Sequence, residues 1–479
     1  MTAHIIERSG IMDEGVEFPR ISTGNPQADS ILGGGFPANS LNIIMGQPGT
    51  GKTIFAEQML YHNATPGRSL LYVTTLAEPV SKVVSYAQRL DFFDIDKIGS
   101  EVIYEDLGAE LSANGPSILV PRILDAIKTL SPAIIVIDSF KAVHDLAEGP
   151  MAMRRMLAEL AGVLAAYEVT TFLLGEYTQE NIESYPEFAV ADSILQLERN
   201  AMSARDDRYL RVLKLRGSSY REGQHAFRIT RGGLKVFPRL VTPDFQAYTP
   251  LLERRPTGIA GLDEIMGGGV WRGSTTLVVG STGAGKSTMG LQFALQGVEL
   301  GEPSLFVNFQ ENPAQVKRML RSLGGGSGAS VSDVAGAPGK VALHHLYTSP
   351  VELQIDSVII EIFNFIESKG VTRVVVDAVG DLMTAASDQQ RLHDFLYSLV
   401  QHFVVRNVTT MLNLESASES VTGRDYDQRW SYMSDNVLVL GRGDQSAADR
   451  TIRVIKTRNS THDPLPHPIE IRADGVHVL

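Results

Sequence analysis

Two copies of one short glycine-rich motif constrain this chain more than any other feature of its sequence. Both fit the pattern G-x-x-x-x-G-K-S/T, and each follows a β-branched apolar run and precedes a run with helical spacing. In that setting the glycines let backbone N–H groups turn inward around phosphate oxygens at the positive end of a helix. The motifs comprise Gly46-Gln47-Pro48-Gly49-Thr50-Gly51-Lys52-Thr53 and Gly280-Ser281-Thr282-Gly283-Ala284-Gly285-Lys286-Ser287. The sequence therefore predicts two phosphate-binding loops.

Four side chains of these loops have specific expected partners. Lys52 and Lys286 would reach the β- and γ-phosphates of a bound nucleotide. Thr53 and Ser287 would each place a hydroxyl on Mg²⁺. We therefore expect a nucleotide with Mg²⁺ at both loops.

The two loops belong to one long internal repeat. Their lysines are 234 positions apart, and each loop is preceded by a Thr-Gly pair, an aspartate and three successive glycines, Gly33–Gly35 and Gly267–Gly269. A repeat of this length indicates a duplicated domain rather than a solenoid. Prolines at 238, 243 and 250 interrupt the pattern between the copies. We place the domains at residues 1–245 and 246–479.

Short β-branched runs alternate with helical stretches in each half of the chain. This alternation is typical of an α/β domain, in which helices cover both faces of a mostly parallel sheet. Ligands of such sheets sit at the carboxyl ends of the strands. We therefore expect the functional residues at those ends.

An aspartate ends an apolar strand at the same place in each half. Asp138 follows Ala133–Ile137, and Asp377 follows Arg373–Val376. Their carboxylates would hold Mg²⁺ or its waters beside the β- and γ-phosphates. A single aspartate after a strand is more often a helix cap or turn residue. The recurrence beside two phosphate loops favours the metal role.

A pair of cations also recurs. The segments Lys214-Leu215-Arg216 and Lys456-Thr457-Arg458 each carry two cations, and the alternation of a strand directs both to one face. Such a pair suits the triphosphate of a neighbouring subunit, as a finger supplied in trans. The alternative is a solvated charged edge, although the recurrence favours the finger.

Composition narrows the classes of protein further. The chain of 479 residues has no cysteine, so it can form neither a disulfide nor a thiolate metal site. Its first 20 residues do not resemble a signal peptide, and no apolar run approaches the roughly 20 residues that a membrane span needs. We therefore expect a cytoplasmic protein without a membrane partner.

The balance of charge argues against a broad nucleic-acid surface. The 43 basic and 55 acidic residues give a net charge of −12. Proteins that coat nucleic acid neutralise phosphates with an excess of Lys and Arg. The overall charge therefore argues against a nucleic-acid partner, although a local basic channel stays open.

Taken with their order, these motifs resemble those of the KaiC family of ATPases. The resemblance covers essentially the whole chain and includes both loops, both glycine triplets, Ser139, the segment Lys214–Ser219 and Ser434-Asp435. It implies two tandem RecA-like P-loop domains that bind ATP with Mg²⁺. It also implies a homohexamer of two stacked rings with ATP between subunits, where Lys214, Arg216, Lys456 and Arg458 reach a neighbour's nucleotide.

The chain departs from the family at the catalytic glutamates. Family members carry two adjacent glutamates after the second strand of each domain, and one polarises the attacking water or hydroxyl. Here Leu76-Ala77 replaces the first pair and Gln310-Glu311 the second. Because a general base contributes typically about 10²–10⁴-fold in rate, Glu311 is the catalytic candidate and the first domain could turn over slowly. Glu78 or Glu176 could stand in there.

The segment that carries phosphoacceptors in the family also differs. Family members have adjacent serine and threonine acceptors, whereas this chain has Ser431 followed by Tyr432. Ser431 is therefore the candidate acceptor for serine autophosphorylation in the second domain. Equally open is a serine that only ends a helix or strand.

Three functions are compatible with these residues. The first is a Mg²⁺-dependent ATPase of the KaiC type with residual serine autophosphorylation. The second is a weakly hydrolysing, nucleotide-gated hexameric scaffold for an unknown signalling protein. A RecA-like DNA motor is the third, and the net charge and the lack of a basic or aromatic DNA-binding segment count against it.

Overall fold

The chain forms two compact units, of which one ends at Arg239 and the other begins at Leu240. The predicted division at residues 245 and 246 stays a prediction. A computed structural model describes residues 19–202, 205–246, 248–323, 341–385, 389–416, 428–442 and 450–479. We call these units the first and the second domain.

The first domain alternates strands and helices along most of its length. Its strands are β1 Arg20–Ile21, β2 Phe36–Pro37, β3 Leu41–Gly46, β4 Leu70–Thr74, β5 Val102–Asp106, β6 Ile134–Asp138, β7 Thr170–Gly175, β8 Ser193–Met202, β9 Arg205–Leu215, β10 His225–Thr230 and β11 Gly233–Phe237. Its helices are α1 Pro26–Ile31, α2 Lys52–Asn63, α3 Val80–Ala87, α4 Gly108–Asn114, α5 Leu119–Leu130, α6 Phe140–Asp145, α7 Pro150–Ala166, α8 Gln179–Ser184 and α9 Pro186–Val190, with 3-10 turns at Ile95–Lys97 and Pro116–Ile118.

The second domain repeats this order. Its strands are β12 Arg254–Arg255, β13 Val270–Trp271, β14 Thr275–Gly280, β15 Ser304–Asn308, β16 Leu343–Tyr347, β17 Arg373–Asp377, β18 Thr409–Glu415, β19 Asn436–Arg442, β20 Arg450–Thr457, β21 His467–Arg472 and β22 Gly475–Val478. Its helices are α10 Leu262–Ile265, α11 Lys286–Glu299, α12 Pro313–Ser322, α13 Ile355–Lys369, α14 Val379–Ala385, α15 Gln389–Val405 and α16 Gln428–Ser431. None of the helices in the described ranges is long and apolar enough to span a bilayer.

Each domain is built on one nine-stranded sheet, and the two sheets have the same topology. The first has the order β11-β10-β9-β8-β3-β7-β6-β4-β5, and the second has the corresponding strands in the corresponding places, β22-β21-β20-β19-β14-β18-β17-β15-β16. The six strands from β8 to β5 pair in parallel, and the hairpins beyond β8 are antiparallel. The mostly parallel α/β sheet expected from the sequence is thereby confirmed.

Helices cover both faces of each sheet because the central strands are apolar on both sides. In β3, Ile44 packs with Phe55 of α2 on one face. Its neighbour Ile43 packs with Leu160 of α7 on the other. All six residues of β3 are buried, which is typical of a parallel strand between two helical layers. The carboxyl ends of these strands, where the loops lie, are left at one edge of the sheet.

The repeated glycine triplets turn the chain between a short helix and a short strand. Gly33, Gly34 and Gly35 all have positive φ, of 67°, 111° and 114°, and the three glycines of the second triplet do as well. A Cβ on Gly35 would lie 2.4 Å from the carbonyl oxygen of Ile21. This close approach, together with φ values that other residues rarely adopt, explains the motif physically.

Candidate functional site

The first phosphate loop joins the end of β3 to the start of α2 and encloses its own lysine. Lys52 Nζ donates to the carbonyl oxygens of Gly46 at 2.9 Å and Gln47 at 3.1 Å. Burial lowers the pKa of Lys52, against which the carboxylates of Glu176 and Asp138 act. The ammonium group therefore lies inside the loop with two carboxylates nearby.

The second loop has the same geometry between β14 and α11. Lys286 Nζ donates to the carbonyl oxygens of Gly280 at 2.9 Å and Ser281 at 2.8 Å. Burial lowers the pKa of Lys286 too, and Glu415 and Asp377 oppose the shift. The two predicted loops thus adopt one conformation in the two domains.

Glycine is required in these loops for steric reasons. A Cβ on Gly46 would lie 2.2 Å from the carbonyl oxygen of Leu197, which no real side chain tolerates. Gly51, the residue before α2, has a φ of 99°, where residues with a Cβ are strained. The N–H groups at the start of α2 are thereby left facing the loop, as an anion site requires.

In the first domain, the predicted hydroxyl and aspartate meet at the carboxyl end of β6. The hydroxyl of Thr53 donates to Asp138 Oδ2 at 2.8 Å. The same oxygen accepts a second bond, from the hydroxyl of Tyr72 in β4, at 2.6 Å. Thr53 and Asp138 are 85 residues apart in sequence, so the sheet topology alone brings them together.

In the second domain, Ser287 and Asp377 meet in the same way. Asp377 is 5% exposed, and burial raises its pKa, against which hydrogen bonds from Asn413 and Ser287 act. Asn413 Nδ2 donates to Asp377 Oδ1 at 2.9 Å and to the carbonyl oxygen of Lys286 at 3.1 Å. A side-chain amide from β18 therefore donates to this aspartate, whereas the first domain uses a tyrosine hydroxyl from β4.

Both hydroxyl–carboxylate pairs suit Mg²⁺ by their chemistry. They offer hard oxygen ligands in small number, and Mg²⁺ usually binds one or two carboxylates while keeping waters and taking phosphate oxygens. Within the described ranges, no group of three or more His, Asp or Glu side chains could hold a metal ion. A protein-only metal cage is therefore not what these residues form.

A cavity of about 530 Å³ opens beside the first loop. Its lining includes Lys52, Asp138, Ala77, Glu78 and Glu176. Glu78 lies 3.0 Å from the ammonium group of Lys82, whereas Leu76 is 42% exposed. The two carboxylates that could replace the missing base thus both face the cleft, and Glu176 is also close enough to affect the pKa of Lys52.

The second domain keeps one of the two glutamates near its aspartate. Glu311 Oε2 accepts a hydrogen bond from Asn308 Nδ2 at 2.9 Å, and its charge adds to the effect of burial, which raises the pKa of Asp377. Gln310 Nε2 instead donates to both carboxylate oxygens of Asp381, at 3.2 and 3.1 Å. Glu311 is therefore the candidate base that lies next to the expected metal ligand.

The first pair of finger cations is held by backbone carbonyls around α9. Lys214 Nζ lies 3.3 Å from the carbonyl oxygen of Phe188, and Arg216 lies 3.4 Å from that of Ala189. Arg216 also pairs with Asp192 at 3.2 Å. Neither cation lines the cavity beside the first loop.

The second pair of finger cations is held in the same way around α16. Lys456 Nζ donates to the carbonyl oxygens of Ser431 at 2.6 Å and Ser434 at 2.7 Å, while Arg458 donates to that of Tyr432 at 2.9 Å. Ser431 is the last residue of α16 and is half-buried. The candidate phosphoacceptor and the finger lysine are therefore in direct contact through the backbone.

Sequence motifs did not identify three residues of the site. Tyr72 and Asn413 hold the two aspartates, and Glu415 lies near the second loop, where it accepts a hydrogen bond from Thr282. Glu415 ends β18, where it pairs with Gly280 of β14. The corresponding residue of the first domain is Glu176, which lies one position beyond the end of β7. Aligning the two halves strand by strand would have found it.

Comparison with known proteins agrees with the duplicated architecture. The family described as "ATPase: KaiC" matches residues 21–241 and again residues 255–479. Circadian clock protein KaiC2 of Synechocystis sp. is 26% identical over 476 residues, covering 95% of this chain and 81% of that protein. Circadian clock oscillator protein KaiC of Acaryochloris marina is 26% identical over 482 residues, covering 94% and 86%. The KaiC of Parathermosynechococcus lividus is 27% identical over 465 residues, covering 93% and 82%.

Proposed function

This chain belongs to the KaiC family of ATPases, and on that premise we propose that both of its domains bind ATP with Mg²⁺ and that the second domain carries most of the hydrolysis. The observation that carries the proposal is the position of Glu311, whose carboxylate accepts a hydrogen bond from Asn308, the residue paired with Asp377 in the neighbouring strand. The first domain has Leu76-Ala77 in place of the glutamate pair.

Each loop supplies the same four contacts to its nucleotide. The backbone N–H groups of the loop and the ammonium group of Lys52 or Lys286 bind the phosphates. The pairs Thr53 with Asp138 and Ser287 with Asp377 hold the metal ion or its waters. When bound, Mg²⁺ neutralises charge that develops on the phosphates. The loop residues that complete this set are Gly46, Gly49, Thr50, Gly51, Gly280, Gly283, Ala284 and Gly285.

Assembly through nucleotide is the second part of the proposal. We assign Lys214, Arg216, Lys456 and Arg458 to the nucleotide of a neighbouring subunit in a homohexamer, with Leu215 and Thr457 as the residues between them. The bonds of these cations to backbone carbonyls around α9 and α16 support a role away from their own loops. Nucleotide that binds only the assembled form stabilises it by mass action. A signalling partner and a cytoplasmic location stay predictions.

A residual autokinase is the third part. Ser431 would accept phosphate from the nucleotide of an adjacent subunit, and Glu311 would be the nearest base. A phosphate adds about −1.5 to −2 charges beside Lys456, whose ammonium group already contacts Ser431. Phosphorylation would therefore strengthen or redirect the contact that holds the finger.

The alternative function is a scaffold in which ATP mainly joins subunits. The exposed Leu76 and the small Ala77, in place of two carboxylates, favour it for the first domain. Glu78 and Glu176 at the cavity favour chemistry there instead. The two functions differ in turnover and not in binding.

Turnover of the full chain separates these functions. We expect Glu311→Gln to lower steady-state ATP hydrolysis by about 10²-fold, at the lower end of the range for a general base, and to leave nucleotide binding unchanged. Lys128→Ala, which alters an exposed lysine of α5, is the control and should leave both unchanged. Full activity in Glu311→Gln together with none in Lys52→Ala would assign hydrolysis to the first domain.

Sedimentation and mass spectrometry test the other two parts. With ATP and Mg²⁺ we expect a hexamer that dissociates when nucleotide is removed, and a monomer at saturating ATP would contradict it.

Prolonged incubation with ATP should place phosphate on Ser431 and on no site in Ser431→Ala. An unmodified Ser431 during continued hydrolysis would leave an ATPase without autokinase activity.

A further inference from the structure

The two domains hold their strand-end aspartates with different side chains. In the first domain, the hydroxyl of Tyr72 donates to Asp138 Oδ2 at 2.6 Å, and Thr53 donates to the same oxygen at 2.8 Å. Tyr72 is fully buried in the middle of β4, so its ring cannot turn away into solvent. Its hydroxyl is therefore a fixed donor to the aspartate.

The second domain has no tyrosine at this position and uses an amide from another strand. Phe306 of β15 stands where Tyr72 stands, opposite the valine two residues before the aspartate. In the strand on the other side, Asn413 pairs with Asp377, whereas Leu174 pairs with Asp138. Each domain thus has one polar and one apolar residue at these two positions, in opposite strands.

We propose that Tyr72 and Asn413 are equivalent positioning residues, each of which orients the aspartate of its own domain toward Mg²⁺. This inference rests on the proposed function, since it assigns Mg²⁺–ATP to both loops. The donors engage different oxygens, Oδ2 of Asp138 and Oδ1 of Asp377. The donors come from strands on opposite sides of the aspartate strand, β4 in the first domain and β18 in the second, so the two metal sites are built differently beside loops of the same conformation.

The physical reason is the freedom of a carboxylate at the end of a buried strand. Without Tyr72, the hydrogen bond from Thr53 would be the remaining one to the Asp138 carboxylate among the described residues, and the Thr53 hydroxyl is itself needed by the metal. Donors that orient metal ligands typically affect metal affinity by about 10–100-fold when they are removed. Asn413 makes one more hydrogen bond of this kind than Tyr72. It also donates to the carbonyl oxygen of Lys286 at 3.1 Å and thereby links the start of α11 to β18.

A purely structural role for Tyr72 makes a different prediction. Tyr104 of β5 is the matched control, since its ring lies 5.5 Å from that of Tyr72 and its hydroxyl contacts Glu57 and Tyr61 rather than the aspartate. If buried hydroxyls only stabilise this region, Tyr72→Phe and Tyr104→Phe should behave alike. If Tyr72 positions Asp138, only Tyr72→Phe should alter the response to Mg²⁺.

The test measures binding of a fluorescent N-methylanthraniloyl derivative of ATP to the full chain as Mg²⁺ is varied. In a Lys286→Ala background, which leaves the first loop to report, Tyr72→Phe should raise the Mg²⁺ concentration for half-maximal binding about tenfold. Binding in EDTA should not change, because the loop is intact. Adding Leu174→Asn to Tyr72→Phe builds the arrangement of the second domain and should restore most of the Mg²⁺ response. Tyr104→Phe should leave that response as it is.

The second loop gives an independent arm of the same test. In a Lys52→Ala background, Asn413→Leu should raise the half-maximal Mg²⁺ concentration at least as much as Tyr72→Phe does in the first. Adding Phe306→Tyr should restore it in part, because the bond to the carbonyl oxygen of Lys286 is not replaced. Thermal unfolding of every variant is followed in parallel, to show that each is folded.

Distinct results would overturn the inference and the proposed function. An unchanged Mg²⁺ response in Tyr72→Phe, or an equal shift in Tyr104→Phe, would contradict the positioning role of Tyr72. The proposed function would still stand in that case, provided that the chain of natural sequence shows Mg²⁺-dependent binding. A chain of natural sequence that binds the nucleotide derivative equally well with and without Mg²⁺, or not at all, overturns both.

Discussion

The two domains share a backbone and differ in the buried side chains around it. Their sheets have the same strand order, and both loops hold their lysines on the same two carbonyls. Beside the first loop lie Glu57 and Tyr72, where the second domain has Leu291 and Phe306. The two domains therefore share the backbone geometry of their loops, whereas the buried side chains behind the loops differ between them.

A buried arginine shows how far this exchange extends. Arg373 begins β17 with no exposed surface and bonds to Glu302 and to the carbonyl oxygens of Pro256 and Phe293. The corresponding residue of the first domain is Ile134, which is equally buried. The second domain thus has a buried, paired arginine at a position that the first domain fills with an isoleucine.

The largest expected effect comes from removing that charge. Arg373→Ala leaves Glu302 with Arg255 as its remaining ion-pair partner and opens a cavity beside Phe293, so we expect a loss of about 3–5 kcal/mol of stability in the second domain. Denaturant unfolding of the full chain measures it. Arg472→Ala is the control, since its pair with Glu470 is half exposed and contributes no more than about 1 kcal/mol. A loss below that of the control would show that the arginine is dispensable.

The first domain has a buried carboxyl group, that of Glu57, at a position where the second domain has Leu291. Burial raises the pKa of Glu57 from an ordinary value of 4.5 to about 8. The folded state therefore holds this proton more tightly than the unfolded chain. The stabilisation is fully present below pH 4.5 and is lost as the pH rises toward 8, by about 1.4 kcal/mol per pH unit.

The second prediction removes this titration. Glu57→Gln should stabilise the first domain by about 2–3 kcal/mol more at pH 7.5 than at pH 5.5, since glutamine carries no proton to lose. Thermal unfolding at the two pH values measures the difference. Leu291 holds the same position in the second domain, so Leu291→Met is a control that should show no such pH dependence. Equal effects at both pH values would place the charge of Glu57 in solvent.

The third prediction tests whether the first domain lacks only its base. Leu76→Glu with Ala77→Glu, in a Lys286→Ala background, should raise ATP hydrolysis at least about tenfold, toward the range of a general base. The exposed position of Leu76 gives a carboxylate room without a cost in burial. Leu76→Gln with Ala77→Gln is the uncharged control. An unchanged rate would indicate that Glu78 or Glu176 already acts as the base.

The smallest change is expected in the rate of ATP hydrolysis by the second domain, which has one of the two glutamates, Glu311. Gln310→Glu alone would place a carboxylate against Asp381, because Gln310 now donates to both of its oxygens. Combined with Asp381→Asn, it should raise the rate several-fold, by less than in the first domain because Glu311 is already present. Comparison with Asp381→Asn alone isolates the gain. A larger gain here than in the first domain would reverse the proposed division of labour.

The amino-acid sequence by itself determined the elements that depend on local pattern. The loops, the aspartates at strand ends, the duplication and the parallel sheet are all readable, because motif spacing and apolar periodicity act over a few residues. The pairing of Ser287 with Asp377 follows from those elements, since parallel strands end at one edge.

Only the tertiary structure decided which distant side chains meet behind the loops. Tyr72 lies 66 residues from Asp138, and Asn413 lies 36 from Asp377. Neither residue belongs to a motif, and tyrosine or asparagine in a strand has no local preference that would reveal the contact. Their roles, the buried carboxyl of Glu57 and the buried charge of Arg373 arise because a close-packed interior leaves each polar group only the partners that neighbouring strands and helices bring within hydrogen-bonding distance.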